Sequence, residues 1–463
     1  MDLVQQILDL DKNLEENFSD KILIDENLTR QLVSFQANKK QAFHKWFKYK
    51  EGFSADLVKY FFNTYKINEG PVLDPFAGIG TTLFVSSELG IKSDGIELLP
   101  SSSEIIKTRK LFLMDLNDED LKIIYHWKDN KPWNFTEGKK ELSFFRITQG
   151  AYPEQTKIKL EHFLFELDKV ENTIAKNILF TSLLSILEII SYTRKDGQYL
   201  RWDYRSGRQV GAIPFNKGEI FEFDFAINNK LNEIIDDYHQ IKTGNLFSTN
   251  IYEEINLFEG SCLNILPKLE ENSYQAIMTS PPYCNRYDYT RTYALELGLL
   301  DISQTELNEL RQTLLSCTVE NKDKDLIAMN SNWKNPLEII DNNILLQTII
   351  KYLELQKQLK VLNNNGIVRM VKNYFTELAC IIYESYRVLK PGGYLFMVND
   401  NVRYAGISIS IDLILSEIAQ NIGFNIEHIL VLPIGKGNSS QQMGEHGRDE
   451  LRKCIYVWRK NDC

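Results

Sequence analysis

Residues 71–97 read PVLDPFAGIGTTLFVSSELGIKSDGIE, and this stretch decides the fold. Pro71–Asp74 is a short apolar run with the character of a buried strand. It leads into the glycine loop Asp74-Pro75-Phe76-Ala77-Gly78-Ile79-Gly80-Thr81-Thr82. TLFVSSEL then predicts a helix that Gly90 closes, because glycine takes the left-handed conformation at a helix end without strain. Lys92–Glu97 reads as a second strand ending on a carboxylate. Gly78 and Gly80 let the backbone turn sharply and approach a ligand closely. No Lys-Ser/Thr follows the glycines, so this is not a P-loop, and Leu83 spoils the full dinucleotide fingerprint. A carboxylate placed like Glu97 accepts both hydroxyls of a ribose in nucleotide folds. The plainer alternative is a tight turn and a solvated strand end; the flanking strand and helix weigh against it.

A second element lies at Ser280-Pro281-Pro282-Tyr283, at the end of the apolar strand Gln275–Thr279. Two prolines fix the chain and remove two backbone donors, leaving carbonyls to accept. A hydroxyl precedes them and an aromatic ring follows. The set suits an amino group on a planar base. Ser280 and the Pro281 carbonyl accept from the NH2, while the ring stacks. Accepting those hydrogens turns the nitrogen lone pair out of conjugation, ready for transfer chemistry that needs positioning and no covalent nucleophile. A Pro-Pro turn with a packed tyrosine is the bland alternative. Cys284 is separated from Pro282 by Tyr283, so a Pro-Cys nucleophile is not expected.

These two motifs resemble those of the S-adenosylmethionine-dependent DNA amino-methyltransferases. The resemblance covers roughly residues 40–115, 255–300 and 367–463. It implies a Rossmann-like α/β fold with a mostly parallel sheet of the class I methyltransferase type. It implies that the loop Asp74, Pro75, Phe76, Ala77, Gly78, Gly80, Thr81 and Thr82 holds the methionine part of S-adenosylmethionine and that Glu97 holds the ribose. Phe53-Ser54 resembles the element that closes over the methionine moiety; a helix cap by Ser54 is compatible with that role. Ser261 and Cys262 stand where the family's Gly-Asp contacts the cofactor adenine, with Ser261 in place of the Asp, and a simple turn is the alternative. Ser280, Pro281, Pro282 and Tyr283 form the catalytic set. Members with Ser at the first position are mostly cytosine-N4 enzymes; Asp or Asn there mostly marks adenine-N6 enzymes. The motif order, cofactor loop first, is similar to that of the alpha group. The rival readings are a methyltransferase acting on RNA or on a protein glutamine, and a catalytically silent DNA-binding module.

The rest of the chain is read around that core. Residues 1–39 predict a helical extension, 40–115 the cofactor-binding part, and 116–254 an inserted target-recognition domain. Residues 255–301 carry the catalytic part, 302–366 a polar helical insertion that competes for target recognition, and 367–463 the end of the core. Within the large insertion, Thr156–Lys169 and Ile174–Tyr192 look helical and a hairpin is expected near 210–225. Residues 191–208, SYTRKDGQYLRWDYRSGR, interleave Arg194, Lys195, Arg201, Arg205 and Arg208 with aromatic residues including Trp202. Arginines bind phosphates or guanine edges and aromatics stack on displaced bases, so these six are candidate DNA contacts. A solvated loop with structural aromatics is the alternative. Lys39, Lys40, Lys45, Lys48 and Lys50 make residues 36–51 a second basic-aromatic candidate. Arg286, after the catalytic loop, lines the target pocket or opens a surface helix. The glycine-rich stretch 435–449 reads as a loop near a ligand.

Composition bounds these readings. The 463 residues carry a formal charge of −10, which argues against a protein that coats nucleic acid without specificity but leaves room for a basic cleft. Hydrophobic residues make up 43%, so the chain is neither disordered nor fibrous. The apolar stretch Ile178–Ile190 is interrupted by polar residues, and no membrane association is expected. The acidic N-terminus does not read as a signal peptide. The six cysteines form no CxxC pair and the six histidines no HExxH, so no metal is expected and a reducing cytosol fits. The expected partners are double-stranded DNA and a cognate restriction endonuclease or other defence-system subunit, in a prokaryotic cytoplasm at the nucleoid.

Overall fold

The computed structural model describes residues 2–196, 199–208, 213–243, 253–433 and 451–462. Eight strands form one sheet. In chain order they are β1 (Ile22–Ile24), β2 (Val72–Asp74), β3 (Ser93–Glu97), β4 (Ile255–Glu259), β5 (Tyr274–Thr279), β6 (Leu389–Asp400), β7 (Phe424–Val431) and β8 (Lys453–Lys460). Their spatial order is β1-β7-β8-β6-β5-β2-β3-β4. Only β8 runs antiparallel to its neighbours, β6 and β7. All other pairings are parallel. This is the class I methyltransferase sheet with one extra edge strand, β1.

Strict alternation explains why the central strands are buried on both faces. Phe396 and Val398 of β6 and Ile455 and Val457 of β8 pack on one side, with α2 (Ala55–Thr64). Leu395, Met397, Cys454, Tyr456 and Trp458 pack on the other, with Ile367–Val388 and Ile411–Ile422. A parallel sheet with both faces covered needs this near-continuous apolar sequence.

Among the described residues, the 36–51 and 116–254 segments form no core of their own. Their buried residues join those of α3 (Thr81–Glu88) and α4 (Pro100–Met114) in one cluster. Helix Thr173–Ile190 lies against α4 and against Phe223–Lys242. Thr173–Ile190 is long and apolar enough to cross a membrane, but eleven of its side chains, from Ala175 to Ile190, are spent on this core.

Three local features differ from expectation. The N-terminal extension holds the expected helix, Leu3–Asn17, but also the strand β1, too short at three residues to show a period. Lys390-Pro391-Gly392-Gly393, which by sequence resembles a turn before a late strand, lies inside β6, which bulges there: Tyr274 pairs with Leu389 and Ala276 with Tyr394. The hairpin falls earlier than expected, pairing Thr193–Lys195 with Leu200–Trp202. Residues 213–222 form no strand, and 209–212 lie outside the described residues. The 435–449 stretch also lies outside them.

Candidate active site

The strand order reverses between β2 and β5, and ligands of open α/β sheets bind beyond the carboxyl ends at such a switch point. The glycine loop leaves β2 there and the Ser280 loop leaves β5. One cleft is lined by residues of both, including Asp74–Ile79, Thr81, Glu97, Ser280 and Pro282.

The loop is held from behind by a dense polar set. Asp74 is buried; it accepts from Thr279 Oγ1 at 2.7 Å, Thr82 Oγ1 at 2.9 Å and the Phe76 N–H at 3.0 Å. Burial still raises its pKa to about 6. Gly78 has φ of 56°, and a Cβ there would stand 2.9 Å from the Tyr49 ring. Gly80, at φ 81°, opens α3. The buried Arg109, between the rings of Phe43 and Phe84, donates to the Ile79 carbonyl at 2.7 Å. Thr82 and Gly80 thus shape the loop from within, while Thr81 and Gly78 face the cleft.

Glu97 differs from Asp74. Its carboxylate is buried and accepts from the Leu99 N–H at 2.6 Å, with the Gly78 and Leu98 amides also acting on it. Burial raises its pKa to about 8. A buried acceptor with spare lone pairs at a cleft wall is suited to ligand hydroxyls.

Gly260, Ser261 and Cys262, beyond β4, form one part of the cleft wall, and Tyr49, Glu51, Gly52 and Phe53 form another. Ser54 lies just behind. Its Oγ donates to the Leu32 carbonyl at 2.6 Å and accepts from the Leu57 N–H, capping α2. Tyr289, which follows the catalytic loop and was expected to line the target pocket, does line the cleft; sequence reasoning missed Tyr49, Glu51, Leu314 and Leu315 as lining residues. The leucines come from the helical insertion. Lys324 donates to the Leu314 carbonyl at 2.9 Å and pairs with buried Glu377 on Ile367–Val388, also 2.9 Å. An apolar Leu-Leu in a polar insertion was the available signal.

Ser280 Oγ donates to Tyr283 Oη at 3.2 Å or to the Val398 carbonyl at 3.3 Å. Pro281 is buried, and Pro282 lines the cleft. The Cys284 thiol is fully buried and held well above its usual range by burial, unsuited to nucleophilic attack. Arg286, with φ of 67°, donates to Asn363 Oδ1 at 3.3 Å in the insertion. Tyr287 and Tyr293 both donate to Glu51, Tyr293 at 2.5 Å, and Tyr289 packs on Tyr287 with ring centres 4.8 Å apart.

The two basic-aromatic segments converge beside this wall: Lys50 donates to the Lys195 carbonyl. The hairpin divides its residues by face. Arg194 and Arg201 sit opposite each other in register and point outward, exposed. Lys195 and Trp202 point inward. The Lys195 ammonium, 3% exposed, lies 2.5 Å from Glu296 Oε1 and 4.3 Å from the Tyr293 ring centre. Period-two alternation, invisible while the segment is read as a loop, therefore removes Lys195 from the surface as a DNA contact. Arg208 stacks on Trp202 at 3.9 Å and donates to the Gln149 carbonyl at 2.6 Å. Arg205 is clamped on Asp203 at 2.7 and 3.0 Å. These two arginines are already engaged in holding the segment together.

Comparison with known proteins agrees with this geometry. A family model described as DNA methylase matches residues 11–108. The Type II methyltransferase M.AvaI of Nostoc sp. is 55% identical over 459 residues, covering 99% of this chain and 94% of that protein. M.BsoBI of Geobacillus stearothermophilus is 42% identical over 458 residues, 94% of this chain and 89% of its own length. M.MvaI of Kocuria varians aligns over 92% of the chain at 22% identity. End-to-end similarity at the first two levels places the chain in the family of S-adenosylmethionine-dependent Type II DNA amino-methyltransferases.

Proposed function

We propose that the chain methylates the N4 amine of cytosine at a specific site in double-stranded DNA, with the base flipped out of the helix. The observation that carries this reading is that Ser280 and Glu97 line one cleft, so the amine acceptor and the cofactor anchor face a shared space. The cleft fits S-adenosylmethionine on this chain's own terms. Glu97 is a buried acceptor served by backbone donors, and Gly78 keeps the loop backbone open where a side chain would strike Tyr49. Phe53, Phe76 and the Ser261-Cys262 wall complete its enclosure. When bound, the cofactor supplies an electrophilic methyl group on its sulfonium.

The protein's task is then positional. A base inside a duplex hides its amine and must leave the stack. Ser280 Oγ and the Pro281 carbonyl accept the two amine hydrogens, and the Tyr283 ring supports the base. S-adenosylmethionine held by Glu97 and the glycine loop would supply its sulfonium methyl to the freed nitrogen lone pair and leave as the neutral thioether. The nitrogen then releases one proton, which its new positive charge makes acidic. Ser280 at the first motif position favours cytosine over adenine.

DNA lies across the wall that carries Arg194, Arg201 and Arg286. Arg194 and Arg201 stand directly opposite on the hairpin; Asp196, 3.6 Å from Arg201, offsets only part of their mutual repulsion, and a phosphate backbone offsets the rest. Residues 116–254 act as the target-recognition part, and a cognate endonuclease cleaves unmodified sites, as the Type II designation of the relatives suggests.

Incubation with labelled S-adenosylmethionine and mixed-sequence duplex DNA, followed by nucleoside mass spectrometry, tests the reading. N4-methylcytosine is expected. N6-methyladenine keeps the mechanism and overturns the base; label in RNA or protein alone overturns the substrate.

A further inference from the structure

The Ser280 loop is braced from the strand beside it. Asp400, at the end of β6, pairs in register with Lys453, at the start of β8. Their side chains form an ion pair of 3.3 Å, both largely buried. The same ammonium lies against Tyr283, 5.5 Å from the centre of its ring, where its charge acts on the phenol oxygen. Tyr283 Oη in turn accepts from Ser280 Oγ at 3.2 Å.

We propose that Lys453 is a positioning residue for methyl transfer: it anchors the Tyr283 hydroxyl, and through it sets the direction in which Ser280 points its proton. A serine hydroxyl has one proton and two acceptor lone pairs. It accepts from the target amine only when its own proton is turned away. A fixed Tyr283 oxygen gives that proton a fixed destination. Without Lys453 the tyrosine hydroxyl loses its tether and the serine loses its preset orientation. Asp400 explains why a cation is tolerated here. The target nitrogen turns positive as the methyl arrives, so a lone ammonium nearby would oppose the reaction, whereas an ion pair is close to neutral.

The proposal rests on the methyl-transfer reading, and its test separates the two. Single-turnover transfer to duplex DNA is measured alongside cofactor and DNA affinity for wild type, Lys453→Met, Lys453→Arg, Tyr283→Phe and the Lys453→Met/Tyr283→Phe double variant. In Lys453→Met, transfer should fall roughly 10- to 100-fold, the usual cost of losing a group that orients a reacting one. Both affinities should stay within about twofold, since no bound group is touched. Lys453→Arg should recover part of the rate, because a cationic donor remains. The double variant should lose little beyond either single one, as expected for residues acting in series. Four results would overturn the role: wild-type transfer in Lys453→Met, wild-type transfer in Tyr283→Phe, additive losses, or a loss explained by weaker cofactor binding. A wild-type chain that methylates no duplex DNA overturns the underlying reading and the role with it.

Discussion

The two walls of the cleft are built differently. The cofactor wall is local: Asp74, Gly78, Thr82 and Glu97 come from one strand-loop-helix-strand unit, and most of its bonds join residues of that unit. The target wall is assembled from afar. Glu51 receives Tyr287 and Tyr293, Lys195 meets Glu296, and Arg311 reaches Asp288 at 3.1 Å. A shared cofactor asks for the same few contacts in many enzymes, and a compact motif supplies them. A particular DNA site asks for contacts peculiar to this chain, and insertions supply them.

The sharpest break between the walls should come from Ser280→Ala. Removing one preorganised group at the reacting atom typically costs ~10²–10³-fold in turnover. Cofactor affinity, measured by calorimetry, should be unchanged. Turnover within about threefold of wild type would remove Ser280 from the reaction. Glu97→Ala should do the reverse, weakening cofactor binding by roughly 10- to 100-fold, the worth of charged hydrogen bonds. Turnover at saturating cofactor should change far less. If Glu97→Ala instead abolishes turnover with affinity intact, the division between the walls is wrong.

A gentler probe is pH. Burial raises Glu97 to about 8, so in the empty protein it is mostly protonated at neutrality. Ribose hydroxyls favour the ionised carboxylate, so binding should release a proton. Affinity should rise about tenfold between pH 7 and pH 9 and level off above. For the empty protein the sign is opposite: the protonated group's contribution is full below the unfolded value near 4.5 and is lost as pH rises through about 8. Cofactor-induced gain in melting temperature should therefore grow across that window, and Glu97→Gln should flatten it.

The same contrast explains what could be read from sequence. The glycine loop, Glu97 and the Ser280 motif were legible because period and motif act over short spans. The strands at 71–74, 92–97 and 275–279 were read together with them. The edge strand Ile22–Ile24 was not legible, since its partner Ile429–Val431 lies at the far end of the chain. Tyr49, Glu51 and Leu314 reach the cleft only through tertiary packing. The segment 191–208 shows the limit most clearly. Its composition marked it as basic and aromatic, but only the strand pairing of Thr193–Lys195 with Leu200–Trp202 says which charges face out.

That hairpin gives the smallest and most selective test. Arg194→Ala and Arg201→Ala should each weaken DNA binding by roughly 3- to 10-fold at moderate salt, and each should lower the salt slope of log K by about 0.9, the share of one phosphate contact. Neither change should alter folding, because both side chains are exposed. Lys195→Met should behave otherwise. It leaves Glu296 buried without its cation, and breaking such a pair costs about 3–5 kcal/mol of stability. The salt slope measured on the folded fraction should stay the same, because Lys195 never reaches the phosphates. Neighbours in sequence, Arg194 and Lys195 would then separate into recognition and architecture by the face of the strand alone. An unchanged slope in both arginine variants would take the DNA off this hairpin and leave Arg286 as the phosphate-contacting arginine of that wall.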